Sequence, residues 1–286
     1  MVVVLLAGVG TWALVHGDSS REPPGTGMEG PVAATETVAA TGSEATSPPG
    51  RTAAAARAQT AAGAPVVWVQ AGHADPREPG YRDQTGAGSG PFGSEVAFTS
   101  RLANDVAARL AARGVDARVL SGRVDPIGAP GAAFVSLHHD APGGRAAVAG
   151  ATAGTGENYY RGEGRGDPSP TPYPDSAPHR RATTVSPSVQ RASRGLAAAI
   201  AARYADVFTP ANGGDGTFAG VVTSAENPRL SSYYGFFRTG ADARVIVEAG
   251  AAGVDDALLR RTELIGGAIA AGVLDDLAAR GLAVMP

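Results

Sequence analysis

The sequence predicts an α/β protein: a single domain on a mostly parallel, twisted sheet flanked by helices, with its chemistry at the carboxyl edge of the strands. Three observations predict it. A strand-like run, an amphipathic helical stretch and a second strand-like run succeed one another within about sixty residues, the βαβ pattern of parallel sheets with right-handed crossovers. Two further apolar, β-branched runs follow at Ala132 to His138 and Ala243 to Gly250. Three of the runs end beside a histidine or a glutamate, and in open α/β sheets functional groups gather at that edge.

The elements read in order. Val2 to Val15 is apolar and uncharged. It is short of the roughly 20 residues that span a bilayer and fits the core of a secretory signal. No basic residue precedes it, which points to a true start upstream, and a longer N-terminus would make it an anchor. Residues 1–16 are therefore expected to be a signal peptide or N-terminal membrane anchor. Residues 17–64, rich in Pro, Ala, Thr, Gly and Ser, read as a flexible linker. Residues 65–286 then form the folded domain, roughly 220 residues and enough for one sizeable core. An export signal and a linker place that domain outside the cytoplasmic membrane.

Within the domain, VVWVQAG (Val66 to Gly72) is a buried strand ending in glycine. Ser94 to Arg113 is an amphipathic helix, with Val96, Leu102, Val106 and Leu110 at helical spacing and Gly114 closing it. Val115 to Ser121 and Ala132 to His138 are the next strands. Asn158 to Tyr160 is a short strand, and Arg161 to Pro187 a long surface loop. Ser186 caps a helix with Pro187 at its first position, running to about Val207. Phe218 to Thr223 is a weak strand and Ala243 to Gly250 a strong one. A final helix fills much of Asp255 to Arg280. No internal repeat is visible.

Composition narrows the chemistry. The net charge of −3 over 286 residues gives no clustered basic surface for nucleic acid. All 24 basic residues are arginine, which we read as codon bias rather than function. With no cysteine there are no disulfides and no thiolate ligands. Any metal must be held by His, Glu and Asp.

His73 follows the first strand, His138 ends the third and Glu248 ends the late strand, while Glu95 opens the first long helix, where the dipole favours its charge. Two imidazoles and one carboxylate make a zinc site with an open fourth position, where the metal lowers a water's pKa toward neutrality. A second carboxylate off the metal can move protons. Glu248 suits that task, because burial at a strand end raises its pKa. Singly, each residue has a plainer reading: a hydrogen-bonded structural histidine, a helix N-terminal charge, a salt-bridge partner. Their joint placement at the ends of regular elements favours the site.

The chain resembles the zinc-dependent N-acetylmuramoyl-L-alanine amidases of peptidoglycan turnover. Four pieces in the family's order carry the likeness: Gly72-His73 after the first strand; Glu95 opening the helix that leads through LAARGVDARVL (Leu110 to Leu120); FVSLH (Phe134 to His138); and RVIVEAG (Arg244 to Gly250). It covers about Pro65 to Gly281. The resemblance implies His73, Glu95 and His138 as ligands of one Zn2+ and Glu248 as the catalytic carboxylate. It implies hydrolysis of the amide between N-acetylmuramic acid and L-alanine, a peptidoglycan or muropeptide substrate, and a secreted or membrane-anchored, wall-associated location with an activating partner unknown.

His139 stands where the family has a small residue and is not the inherited ligand; supporting the ligands, contacting substrate and solvation all remain open for it. Asp140 stands near a common family asparagine and could orient a ligand. Arg238, in YYGFFRTG (Tyr233 to Gly240), is the chosen contact for an anionic stem peptide, with a solvated surface arginine as its plainer reading. Arg238, His139 and Asp140 form the candidate substrate-binding set. Tyr233, Tyr234, Phe236 and Phe237 line the groove or pack in the core, and core packing takes at least two of them. PHRR (Pro178 to Arg181) is a solvated charge cluster or a hold on anionic wall polymers.

The sequence also departs from the family pattern. The interval from His73 to Glu95 (95 − 73 = 22 positions) is long. It contains Asp75 and Glu78 as rival carboxylates and the loop Gly86 to Gly93 at the mouth. The stretch between Leu120 and Phe134 is short and lacks a helix. AGAAGVDDALL after Glu248 keeps the glycine but not the usual aromatic and asparagine. Two other classes fit the same chain: a different exported zinc peptidase acting on stem peptides, or a non-catalytic wall-binding protein that keeps the fold.

Overall fold

The structure, a computed structural model, describes residues 63–74, 86, 89–122, 124, 126, 128–154, 184–231, 233 and 235–282. The expected signal and nearly all of the linker lie outside these residues. So do Asp75, Glu78, the expected strand Asn158 to Tyr160, the PHRR cluster and Tyr234. Among the described residues no helix is long and apolar enough to cross a membrane.

The strands are β1 (Val66–Ala71), β2 (Ser89–Gly90), β3 (Gly93–Ser94), β4 (Asp116–Leu120), β5 (Pro130–Asp140), β6 (Ala146–Gly150), β7 (Phe218–Val222) and β8 (Gly240–Ala251). The helices are α1 (Glu95–Ala111), α2 (Pro187–Ala205), α3 (Pro228–Ser231), α4 (Gly235–Arg238), α5 (Asp256–Leu259) and α6 (Thr262–Ala279). Six strands form one sheet in the order β4-β1-β5-β8-β6-β7, and β2 with β3 makes a small hairpin. β4, β1, β5 and β8 run parallel, while β6 is antiparallel to β8 and β7 follows β6. The expected fold class therefore holds, with a reversed pair at one edge.

Gly114 takes φ +75° beyond the end of α1, as the stop signal requires, and Ser94, read as the first helical residue, instead caps α1, its Oγ accepting from the Ala97 amide at 3.2 Å. Ser186 caps α2 in the same way, with Pro187 at its first turn. The alternation along the central strands splits the core into two faces. Val67, Val69, Val135, Leu137, Val245 and Val247 meet Phe98, Leu102 and Val106 of α1, Leu196 and Ile200 of α2, and Ile265 and Ile269 of α6. Trp68, Phe134 and Ile246 face the other way, against Tyr233, Phe236 and Phe237. Each full burial of such a side chain contributes roughly 1.5–3 kcal/mol.

Two elements differ from the sequence reading. β6 (AAVAG) was not foreseen, since three alanines and a glycine carry little strand preference. Pairing with β8 makes it a strand. The final helical stretch is divided into α5 and α6. Asp255, fully buried, accepts from the amides of Ala251 and Gly216 at 2.8 Å each, and ties the end of β8 to the approach to β7. The break itself falls at Arg260 and Arg261, between the two helices.

The topology places the site. The chain leaves β1 through α1 to β4 on one side, then returns to β5 on the other side of β1. Strand order reverses there, and the crevice of a parallel sheet opens at the carboxyl ends of the flanking strands.

Candidate metal centre

Three side chains converge at that crevice. His73 follows β1, Glu95 opens α1 and His138 sits near the end of β5. All three are buried, and one ligand-type atom of each lies within 4.8 Å of the others. Glu95 Oε1 is 3.1 Å from His138 Nδ1 and 3.6 Å from His73 Nε2. Donors bound at about 2.0–2.1 Å around a tetrahedral ion lie about 3.3 Å apart, so this spacing suits one ion. His138 Nε2 is buried and has no hydrogen-bond partner among the described residues. The set could hold a metal ion, and its nitrogen and oxygen donors suit zinc.

Local structure makes the approach possible. His73 takes φ +56°, which costs a non-glycine residue about 1–2 kcal/mol. That turn swings its ring toward His138, 4.9 Å away and nearly perpendicular. Gly72 has no room for a side chain, since a Cβ would stand 2.4 Å from His138 Cε1. At the mouth, Gly86 lies so close to the Glu95 carboxylate that a Cβ would meet Oε2 at 2.3 Å.

Glu248 stands directly opposite His138 on the neighbouring strand, and parallel neighbours are about 4.8 Å apart. It is 4% exposed, and its Oε2 has no hydrogen-bond partner among the described residues. Burial first, then the charges of Asp140 and Glu95, push its carboxyl well above the usual carboxylate range. Glu95 behaves in the opposite way. Burial alone would raise it, but the His138 hydrogen bond and the charges of His73, His138 and His139 hold it down at about 2. One carboxylate is thus kept ionised and the other is driven toward its protonated form, the separation that assigns different roles to two acids.

The expected substrate contacts are placed differently. Arg238 is 3% exposed and ends α4, just ahead of β8. Glu248 lies eight residues into that strand beyond Gly240, about 26 Å away along its rise. Arg238 is thus buried near the amino edge of β8, away from the His73–Glu95–His138 cluster at the carboxyl edge. Its carbonyl accepts from the Gly128 amide at 2.6 Å. His139 points to the opposite face of β5 from His138. It is 2% exposed, edge-on to Phe92 at 4.8 Å and Phe98 at 5.5 Å, and its Nδ1 lies 3.0 Å from the Asp140 carbonyl. Its own amide donates to Glu95 Oε1 at 3.3 Å, so it touches a ligand rather than the solvent side of the crevice. Asp140 is also buried. Its carboxylate accepts from the amides of Ala141 at 2.8 Å and Arg145 at 3.4 Å, closing the turn into β6. Phe236, Phe237 and Tyr233 pack in the core. Gln70, which the sequence presents only as one more residue of β1, is a fully buried amide at the edge of this centre. A lone amide in an apolar strand was the signal.

Among solved structures the chain is similar to Cwp6 from Clostridium difficile (15% identity, 76% of this chain and 30% of that one, TM-score 0.46). It is also similar to the N-acetylmuramoyl-L-alanine amidase AmiC2 of Nostoc punctiforme (16% identity, 74% and 97%, TM-score 0.44). A third is the catalytic domain of the CD27L endolysin targeting Clostridia difficile (13% identity, 74% and 97%, TM-score 0.43). The chain spans under a third of the length of the first and nearly all of the other two. At such identities and TM-scores the likeness carries no argument about chemistry. No protein-family model and no curated protein matches the chain.

Proposed function

We propose that this chain is an exported, zinc-dependent amidase that cleaves the bond between N-acetylmuramic acid and L-alanine in peptidoglycan. His73, Glu95 and His138 would hold one Zn2+, and Glu248 is the catalytic carboxylate. The observation that carries the reading is the pairing of His138 with Glu248 across adjacent strand ends, with Glu248 Oε2 buried and unpartnered among the described residues. Bound there, Zn2+ supplies Lewis acidity, polarising an amide carbonyl and acidifying a water.

The chain's own groups supply the rest. Glu95, held ionised, offsets part of the ion's charge. His73 and His138 would each present a ring nitrogen to the ion, and their rings stand nearly perpendicular. Glu248 would accept a proton at Oε2 from the attacking water in its ionised form, which the charge of a bound ion favours over the raised pKa of the ion-free site. It would then return that proton to the leaving amine nitrogen, and its burial suits it to hold the proton between the two transfers. The buried walls of β5 and β8 keep bulk water from competing. A binding module has no use for a carboxyl held at this energetic cost, which favours an enzyme over a wall-binding protein. The location outside the cytoplasmic membrane, in contact with the wall, rests on residues 1–64 and belongs to this proposal.

The test is mass spectrometry of products from purified peptidoglycan incubated with the full chain, with and without a chelator. Free stem peptides beginning at L-alanine, lost with chelator and restored by Zn2+, are expected. Peptides shortened at their carboxyl end would make it a carboxypeptidase. No product from folded, zinc-loaded protein would make it a binding protein.

A further inference from the structure

We infer that Gln70 is a positioning residue that sets the spacing of His73 and His138 before any ion arrives, acting through Tyr233 on one side and the turn after β1 on the other. The inference rests on the metal reading above.

Gln70 is 0% exposed, in a strand position where an apolar side chain would avoid the cost of burying an amide. Both ends of that amide are used. Its Nε2 donates to the Gly122 carbonyl at 2.7 Å, and its Oε1 accepts from the Tyr233 hydroxyl at 3.1 Å. Each bond leads to a ligand. The Gly122 amide donates to the Ala74 carbonyl at 3.1 Å, and the Ala74 amide donates to the Ala71 carbonyl at 3.2 Å, closing the turn that forces His73 to φ +56°. On the other side the Tyr233 ring stands 5.6 Å from the His138 ring at 80°, and packs in turn against Phe236.

A single buried amide thus joins the backbone support of one histidine to the ring support of the other. The two histidines are 65 positions apart in the chain (138 − 73), and Tyr233 is 163 positions from Gln70. Local structure cannot fix such a spacing. A hydrogen-bonded chain with every member satisfied can, because a buried network tolerates few alternative arrangements. Removing one member releases the strained turn at His73 and lets the His138 ring turn, so the ion must then order the site itself.

The test is the Zn2+ affinity of the full chain, read by competition with a chromophoric chelator, for the parent, Gln70→Met and Tyr233→Phe. Gln70→Met conserves volume and removes both bonds, while Tyr233→Phe keeps the ring and removes one. Both are expected to bind Zn2+ about tenfold or more weaker, the usual cost of losing a partner behind a ligand. Gln70→Met deprives the buried Gly122 carbonyl and Tyr233 hydroxyl of their amide partner, so its metal-free thermal midpoint should fall, whereas that of Tyr233→Phe should stay within a few degrees of the parent while its affinity still drops. Parent-like affinity in both variants overturns the inference. So does a metal-free midpoint of Tyr233→Phe that falls in step with affinity, since the Gln70–Tyr233 bond would then merely hold the fold. A parent that binds no Zn2+ overturns this inference and the metal assignment together. A parent that binds Zn2+ but releases no L-alanine-terminated peptide overturns only the proposed reaction.

Discussion

Arg244 and Glu248 lie on the same strand, on the same face, four residues or about 13 Å apart, and both are charged groups taken out of water. Their treatment differs. Arg244 donates through Nε to the Ala241 carbonyl at 2.8 Å and through a terminal nitrogen to the Phe236 carbonyl, and its amide donates to Ser193 Oγ at 2.9 Å. Burial lowers its pKa only to about 10, so it stays charged. It ties α4, β8 and α2 together. Glu248 leaves Oε2 without a described partner and is driven toward neutrality. A buried charge that is satisfied builds the fold, whereas one held unsatisfied is available for chemistry.

The comparison can be broken at either end. Glu248→Gln keeps shape and removes the proton carrier. Turnover should fall by roughly 10²–10⁴-fold, the range for losing a general acid–base group, with Zn2+ binding and the thermal midpoint kept. Product analysis and a melt together check this, and unchanged turnover sinks the assigned role. Arg244→Met should do the reverse to the fold. The carbonyls of Ala241 and Phe236 lose a donor, a loss of about 2–3 kcal/mol, read in urea unfolding. If Arg244→Met is neutral, the division between satisfied and unsatisfied charge fails.

Removing the metal lies between these. Zn2+ at 100 times its dissociation constant stabilises the folded chain by about 2.7 kcal/mol, or roughly 5–10 °C at this domain size. A chelator should reverse that shift in the parent. The same shift in His138→Ala would mean that the ion binds elsewhere. The smallest effect sharpens the role of burial itself. Arg203 and Asp275 pair at 2.6 Å on the surface, both about half exposed. Arg203→Ala should leave the urea midpoint unchanged, because solvent already satisfies both groups.

Much of this was legible from neighbouring residues alone. The strand runs within the described residues, Ser186 as a cap and Gly114 as a stop are local signals, and these fell where read. His73, Glu95, His138 and Glu248 stood out because they sit at the ends of those elements. β6 could not be read, since its five residues owe their strand to β8. The burial of Arg238 could not be read, because a surface arginine and a buried one look alike in sequence. Its burial at the amino edge follows from where α4 packs. Gln70 was passed over because its partners are Gly122 and Tyr233, far along the chain.

The sequence by itself determined most of the element types and the residue types at their ends, because periodicity, capping and turn chemistry act over a few residues. Only the tertiary structure decided how far the two carboxyls are set apart. Glu95 is held down by a histidine 43 positions away, whereas Glu248 is raised first by its burial and then by the charges of Asp140 and Glu95 across the sheet. Electrostatics depends on distance through space, which folding sets and chain order does not.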